Sequence, residues 1–173
     1  IVYARDWAKR EGVAGKVTFV EDDYRNIVGK YDVFVSIGML EHVGPGNYRG
    51  LGEVIDRCLK PDGRGLIHSI GRDRPALLNA WIRRRIFPGA HHPTLGEMAP
   101  IFEPSGLTVV DVENLKTHYA QTLKHWLGRF EANKDTVRAM FDESFVRAWR
   151  LYLAGSTAAF TVGQLQLYQV LFI

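Results

Sequence analysis

The central part of the chain alternates between two short apolar segments and one amphipathic stretch. Residues 31–37 contain Val33, Phe34, Val35 and Ile37, and residues 64–67 end on Leu66 and Ile67, so both segments are typical of strands. Between them, apolar side chains recur with the spacing of one helix face, at Leu51, Val54, Ile55, Cys58 and Leu59. Residues 60–63, with the sequence Lys-Pro-Asp-Gly, predict a turn that ends this helix. The order predicts a βαβ unit with parallel strands and a right-handed crossover.

Both predicted strands lead into polar side chains. Glu41 follows the first strand, and His68 ends the second. Open α/β sheets bind their ligands at the carboxyl ends of parallel strands, so both side chains are candidates for one site. Met39, Leu40 and Val43 flank Glu41. Burying a carboxylate among apolar groups is costly without a partner, which favours a functional role for Glu41.

The rest of the chain predicts strands and helices in alternation. Further strands are expected at 16–20, at 107–112 and in the β-rich run 164–173. Further helices are expected at 77–86, from Thr94 through Phe102, from Thr117 onwards, and as one or two helices within 135–152. The helix from Thr117 has an apolar stripe of Tyr119, Leu123, Trp126, Leu127 and Phe130. The residues before Gly12 resemble the last turns of a helix, as though the chain began within it. We therefore predict one α/β domain over residues 1–173, with a helical insertion or lid at about 72–104.

Composition narrows the class of protein. The chain has 173 residues, of which 46% are hydrophobic, and this suits one globular domain. The net charge of +3 permits contact with phosphate groups but does not indicate nucleic acid binding. The single cysteine, Cys58, falls on the apolar helix face, which excludes a disulfide framework and fits a reducing cytosol. No apolar run is long enough to span a bilayer, so any membrane contact is expected to be peripheral.

Several spaced motifs run through nearly the whole chain. They are residues 31–32, 36–44, 59–63, 66–71, 81–82, 86–89, 119–123 and 166–170. Together they resemble the cyclopropane-fatty-acyl-phospholipid synthases, which are S-adenosylmethionine-dependent methyltransferases with a Rossmann-like sheet. The resemblance implies an α/β class I methyltransferase fold that is incomplete at the N-terminus. The family's glycine-rich cofactor loop, its ribose-binding acidic residue and its N-terminal helical domain have no match here.

The resemblance implies a reaction and a set of catalytic residues. The reaction is methylene transfer to the cis double bond of unsaturated acyl chains in membrane phospholipids, which forms a cyclopropane ring. Bicarbonate would act as the base, held by Glu41, His68 and Tyr119 and by the backbone at Ile70. The three side chains follow three successive predicted strands, which is consistent with their convergence at one edge of the sheet.

The resemblance also implies a cofactor site. S-adenosylmethionine would have its methionine part near the backbone of Ser36, Ile37 and Gly38. Small residues at a strand end allow close approach, although a tight turn would need them as well. Asp23 and Tyr24 match the position of the adenine contacts, with Asp23 accepting a hydrogen bond from the exocyclic amine and Tyr24 forming a wall of the pocket.

Arginines follow the second strand and the next predicted helix. They are Arg72, Arg74, Arg83, Arg84 and Arg85, and aromatic and aliphatic side chains accompany them. Basic clusters are usually solvated faces, but these are also candidates for contact with phospholipid headgroups. We expect a cytoplasmic protein at the inner face of the membrane, with a homodimer left open.

Each candidate also has a structural interpretation. His68 could be a hydrogen-bonded core histidine, Tyr119 could be a core side chain, and His42 is expected to fix its loop locally. His91 and His92, before Pro93, predict a surface turn and no metal site, because no cysteine or carboxylate stands at a ligand spacing. Two further functions stay open: a related methyltransferase acting on another alkene, an amine or a hydroxyl group, and a truncated, non-catalytic lipid-binding relative.

Overall fold

A computed structural model describes all 173 residues. The helices and strands, in chain order, are α1 (Val2–Arg10), β1 (Tyr31–Ile37), α2 (Leu40–Val43), α3 (Tyr48–Cys58), β2 (Leu59–Gly71), α4 (Ala80–Arg85), α5 (Leu95–Phe102), β3 (Val109–Asn114), α6 (Lys116–Ala132), α7 (Lys134–Met140), α8 (Glu143–Thr161) and β4 (Gln166–Phe172). None of these helices is both long enough and apolar enough to cross a bilayer.

The four strands form one mixed sheet in the order β1-β2-β4-β3. Strands β1 and β2 pair in parallel, and β4 is antiparallel to both β2 and β3. Strands β1, β2 and β3 therefore run in the same direction, and their carboxyl ends share one edge of the sheet. The predicted βαβ unit is confirmed, with α3 as the crossover helix.

Helix α3 covers one face of the sheet with its apolar stripe. Leu51, Ile55 and Cys58 on this stripe are buried, which confirms the predicted helix face and the packing role of the cysteine. Helix α5 packs against α3 so closely that a Cβ on Gly52 would lie 2.0 Å from the Ile101 carbonyl oxygen. The core on this face consists of Leu40, Val43, Tyr48, Leu51, Ile55, Leu59, Ile67, Met98, Ile101, Phe102, Leu107, Tyr168, Val170 and Phe172.

Helices α6 and α8 pack against each other on the other face of the sheet. Their core consists of Ala120, Leu123, Phe130, Val146, Leu153, Phe160 and Leu167. Successive side chains of a strand point to opposite faces, so Ile67 of β2 lies in the α3 core while Ile70 packs against the α6/α8 core. His68 has the same parity as Ile70 and points to the α6/α8 side.

The strand expected at residues 16–20 does not form. This segment begins at the end of a short 3-10 turn, Ala14–Lys16, and most of it is exposed. A strand needs a neighbour for its backbone hydrogen bonds, and β1 pairs only with β2. The other edge of β1 therefore has no pairing strand in this chain.

Several predicted boundaries shift for local reasons. The turn expected at 60–63 is an irregularity inside β2, because Tyr31 pairs with Leu59 while Val33 already pairs with Arg64. The helix expected at 77–86 begins only at Ala80, after Asn79, whose side chain accepts a hydrogen bond from the Trp81 N–H.

The later boundaries show the same kind of difference. Thr117 is not the cap of α6, since the Asn114 side chain accepts from the Lys116 N–H and the helix begins at Lys116. Strand β3 lies about two residues later than expected. The predicted Thr94 cap of α5 is confirmed: its hydroxyl accepts from the Glu97 N–H, and the Glu97 carboxylate accepts from the Thr94 N–H.

Candidate active site

Glu41 joins the carboxyl ends of β1 and β2. It lies in α2, directly after β1, and is only 6% exposed. Its Oε1 accepts a hydrogen bond of 2.7 Å from the Ile70 N–H. Its other oxygen, Oε2, is buried and has no hydrogen-bond partner. A buried carboxylate oxygen without a donor is unfavourable, so Oε2 is a position where a polar ligand would be stabilised.

The backbone of Ile70 is therefore already used by the protein. The N–H expected to contact an anion donates instead to Glu41. A bound anion would have to share this N–H with Oε1 or displace it. The anion contact at Ile70 stays a prediction, and the structure gives this N–H a second role, the positioning of Glu41.

His68 lies beside the end of β1 and has one ring nitrogen engaged. The Gln169 side-chain Nε2 is 3.2 Å from His68 Nδ1. In this orientation of the Gln169 amide, Nδ1 accepts and the ring proton lies on Nε2, whereas a flipped amide would exchange the two roles. The Gly38 N–H donates to the His68 carbonyl oxygen at 3.0 Å. The interpretation as a core histidine thus accounts for Nδ1 and leaves the Nε2–H free to donate.

Tyr119 lies in the first turns of α6 and packs edge-on against other rings. Its ring centroid is 4.9 Å from that of Phe160 and 6.0 Å from that of Trp126. Burial, and then the charge of Glu41, raise the pKa of the Tyr119 hydroxyl. Burial and the Glu41 carboxylate both disfavour the ionised form of Tyr119, so its hydroxyl keeps its proton and can donate. The structure places Glu41, His68 and Tyr119 along one edge of the sheet.

Tyr48 was not predicted as a site residue, yet it lies near Glu41. It is fully buried at the start of α3, and its hydroxyl has no hydrogen-bond partner. Burial, followed by the charges of Glu97 and Glu41, raises the pKa of Tyr48 well above its usual value. A tyrosine in an apolar stripe is a weak signal in sequence, because the same pattern is typical of core packing.

An apolar cavity of about 520 Å³ opens beside Tyr119 and Ile70. Its walls come mostly from α4, α6 and α8 and from the segments that lead to them. Trp81, Phe87 and Tyr152 are among the aromatic side chains that line it. Burial raises the pKa of Tyr152 to about 12. The cavity is therefore suited to an apolar chain that passes Ile70 and Tyr119.

The predicted cofactor residues fall into two separate groups. Ser36 is 5% exposed and its hydroxyl lacks a partner, while Gly38 has a φ of 66°, which favours glycine. Ile37, between them, is 69% exposed. The three residues therefore lie next to His68, at a strand end that leaves room for a ligand.

Asp23 and Tyr24 lie in a different place in the fold. Asp23 caps the 3-10 turn Tyr24–Asn26, and both of its oxygens accept from Arg25. The hydrogen bond from the Arg25 side chain lowers the pKa of Asp23 to about 2. Tyr24 packs against the α3 core. The structure does not join this pair to the Glu41 group, and their adenine role stays a prediction.

The prediction of a surface turn at His91 and His92 is wrong for His92, which is only 7% exposed and lines the cavity. Burial, the charge of Arg72 and two other histidines lower the pKa of His92 to about 4. The reason for the burial is that this segment folds back over the sheet edge: the His91 N–H donates to the Glu41 carbonyl oxygen at 2.8 Å. Two adjacent histidines before a proline carry no signal for such a long-range contact.

The fold and the site first define a class of protein. A Rossmann-like sheet with polar side chains at the carboxyl ends of its parallel strands is the arrangement of S-adenosylmethionine-dependent methyltransferases. The structure of mycolic acid cyclopropane synthase CmaA1 complexed with SAH and CTAB matches with a TM-score of 0.82 and 28% identity. The match covers 88% of this chain and 59% of CmaA1.

The sequence then defines the family. The family model described as mycolic acid cyclopropane synthetase matches residues 2–170, and the chain belongs to this family. The cyclopropane-fatty-acyl-phospholipid synthase of Escherichia coli (strain K12) is 38% identical over 157 residues, which are 90% of this chain and 41% of that protein. A tuberculostearic acid methyltransferase of Mycobacterium tuberculosis is 35% identical over 173 residues, which are 96% of this chain and 40% of that protein. The chain thus spans about two fifths of the length of these relatives, and the resemblance seen in its motifs is confirmed.

Proposed function

We propose that this chain carries the reacting half of a synthase that builds cyclopropane rings into the unsaturated acyl chains of membrane phospholipids. The observation that carries the proposal is the buried, unpartnered Oε2 of Glu41, whose Oε1 accepts from the N–H of Ile70, a residue that lines the apolar cavity. An apolar chain in this cavity would have its reacting carbons next to Glu41, His68 and Tyr119. The family relationship and the lipid-modifying relatives support the same reaction.

The reaction determines what the site has to do. S-adenosylmethionine, when bound, supplies an electrophilic methyl group. Ser36, Ile37 and Gly38 would lie along its methionine part, with the unpartnered Ser36 hydroxyl available to it. Attack by an alkene leaves a positive charge on carbon, and a proton must then leave the transferred methyl group so that the ring closes. The site must therefore exclude water and hold a base, and its apolar walls serve the first requirement.

The groups around Glu41 suit a small anionic base such as bicarbonate. The His68 Nε2–H and the protonated Tyr119 hydroxyl are donors. Glu41 Oε2 can accept a hydrogen bond from the hydroxyl group of the anion or, when itself protonated, donate one to it. Bicarbonate, when bound, supplies the base. The protein's own residues would orient it, and the Ile70 N–H would hold Glu41 in place.

The lipid is proposed to reach the site from a membrane surface. Arg83, Arg84 and Arg85 are on α4, and Trp81 of the same helix lines the cavity. Cations beside aromatic side chains are typical of a contact with an anionic lipid interface. Location at the inner face of the membrane and a homodimer belong to the same proposal.

The alternative is an ordinary methyltransferase that acts on an amine or hydroxyl group. Such a reaction creates no carbon cation and needs no added base. The test is turnover of the full-length protein on unsaturated and saturated phospholipid vesicles, with bicarbonate depleted and then restored. We expect ring-containing acyl chains only from unsaturated lipid, with bicarbonate required. Full activity without bicarbonate would remove the base from the proposal, and methylated amine or hydroxyl products would favour the alternative.

A further inference from the structure

Two polar side chains lie on the wall of the apolar cavity and take no part in the proposed chemistry. His92 is 7% exposed, and its Nδ1 is buried without a hydrogen-bond partner. The Nε of Arg72 is also buried and unpartnered. Both residues line the same cavity as Tyr119. Buried polar nitrogens in a native protein usually have partners, so these two require an explanation.

The backbone, and not a polar partner, holds the two side chains in position. The Arg72 N–H donates to the Pro93 carbonyl oxygen at 2.9 Å, which fixes the end of β2 against the residue after His92. The Tyr168 hydroxyl donates to the Arg72 carbonyl oxygen at 3.2 Å. Gly71 allows this approach, because a Cβ there would lie 2.6 Å from the Pro93 carbonyl oxygen. The two side chains are thus held beside each other at the cavity wall.

The charge of Arg72 has no counter-ion within the chain. No carboxylate lies within 4.0 Å of its guanidinium group, and the neighbouring Asp73 is instead 3.8 Å from Arg74. A partly buried guanidinium without an anion is costly, and its N–H groups only donate. His92 is neutral at physiological pH because burial lowers its pKa to about 4, so it can add a hydrogen bond without adding a second charge. Arg72 and His92 together therefore favour the binding of a negatively charged oxygen.

We propose that Arg72 and His92 bind the oxyanion of a lipid whose apolar chain fills the cavity. Arg72 lies two residues beyond Ile70 along the chain, roughly 7 Å further in an extended segment. The polar end of the lipid would therefore lie beyond the strand end, with its chain next to Glu41 and Tyr119. This inference rests on the proposed function in one respect, namely that the cavity accepts an acyl chain. The oxyanion is either a fatty carboxylate or a lipid phosphate.

Calorimetry on the protein with four ligands tests the proposal. Decanoate and decyl phosphate carry the two oxyanions, 1-decanol has a chain of the same length without charge, and inorganic phosphate has the charge without the chain. We expect at least one anionic lipid to bind about tenfold more tightly than decanol, since hydrogen bonds to charged groups are the stronger ones. Inorganic phosphate alone should bind far more weakly. The tighter of the two anions identifies the source of the oxyanion.

Two arginine variants distinguish a specific oxyanion site from a general effect of positive charge on binding. Arg72→Gln should abolish the preference for the anion and leave decanol binding within about twofold, because the apolar walls are unchanged. Arg49→Gln is the control, because its side chain is 73% exposed on α3 and does not line the cavity, and it should keep the full preference. His92→Leu, measured in the same way, should reduce the preference severalfold and serves if Arg72→Gln does not fold.

The outcomes also separate this inference from the proposed function. Equal binding of decanol and both anions, or an undiminished preference in Arg72→Gln, overturns the oxyanion site and leaves the acyl cavity intact. Inorganic phosphate that binds as tightly as decyl phosphate would indicate a site for the free ion and would also overturn it. Failure of all chain-bearing ligands to bind would overturn both the site and the cavity's proposed use.

Discussion

Replacement of Glu41 by glutamine separates the chemistry of this side chain from its structural role. The Oε1 of Glu41 accepts from the Ile70 N–H at 2.7 Å, and the amide oxygen of a glutamine at this position can keep that bond. The amide nitrogen would replace Oε2, which is buried and has no partner. The substitution therefore removes the negative charge and the proton-exchanging oxygen while the volume and one hydrogen bond are retained.

The expected effects differ greatly in size. An unsatisfied buried donor costs about 1–3 kcal/mol, so the Glu41→Gln protein should still fold. The loss of a positioned proton-transfer group typically slows a reaction about 100-fold to 10,000-fold. Ring formation by the full-length enzyme should fall within this range while cofactor affinity stays nearly unchanged. Part of the loss should return at high bicarbonate, because a weakened anion site still fills by mass action.

The assay is ring formation on unsaturated phospholipid vesicles, with cofactor affinity and thermal unfolding measured on the same preparations. Glu53→Gln is a matched control, since Glu53 is an exposed carboxylate on α3 that pairs only with Arg49 at 3.4 Å. It should keep the wild-type rate. A wild-type rate in Glu41→Gln, or a loss of cofactor affinity as large as the loss of rate, would refute the reasoning.

Three further predictions concern packing, pH and charge. Gly52→Ala should destabilise the protein by about 1–3 kcal/mol in denaturant unfolding, because the added Cβ would meet the Ile101 carbonyl oxygen. Gly50→Ala, whose Cβ would meet nothing within 4 Å, should instead stabilise α3 by roughly 0.5–1 kcal/mol. Equal effects of the two substitutions would contradict the close approach of α3 and α5. Burial lowers the pKa of His92 from 6.5 to about 4, so the unfolded chain takes up the proton at a higher pH than the folded protein does. The stability that neutral His92 contributes is full above pH 6.5 and should fall by about 3 kcal/mol as the pH drops towards 4. An equally steep fall in His92→Leu would show that other groups cause it. Binding to anionic vesicles, measured by sedimentation, should weaken with added salt and when residues 83–85 are replaced by glutamine, since each cation near an anionic surface contributes roughly 1 kcal/mol. Unchanged binding in both cases would exclude α4 from the membrane contact.

A further prediction concerns the cofactor. The family's glycine-rich loop and ribose-binding acidic residue have no match in these 173 residues. Calorimetry on the 173-residue chain should therefore detect weak binding of S-adenosylmethionine or none. Clear saturation at low micromolar cofactor would show that Ser36, Ile37 and Gly38, with their neighbours, already form a sufficient site.

The sequence was most informative where local pattern and fold agree. The helical spacing from Leu51 to Cys58 and the β-branched run 31–37 correctly predicted the βαβ unit. The parallel pairing then placed Glu41 and His68 at one edge of the sheet. The capping pair Thr94 and Glu97 is a purely local signal, and the Thr94 cap was also predicted correctly.

The sequence was least informative where long-range contacts decide the outcome. Residues 16–20 have a strand-like composition, but no strand of this chain pairs with them. His92 became a cavity residue because its neighbour bonds the backbone of Glu41, far earlier in the chain. Tyr48 and Gln169 have no motif that marks them, and only the packed structure shows that they lie beside Glu41 and His68.

The fate of the transferred methyl group tests the central claim most directly. The full-length enzyme would be given S-adenosylmethionine with a fully deuterated methyl group and unsaturated phospholipid vesicles, and the acyl products would be analysed by mass spectrometry. Ring closure requires the loss of one deuteron to the base, so the account predicts products that retain two of the three methyl deuterons in a cyclopropane ring. Products that retain all three deuterons on a nitrogen or an oxygen would contradict it.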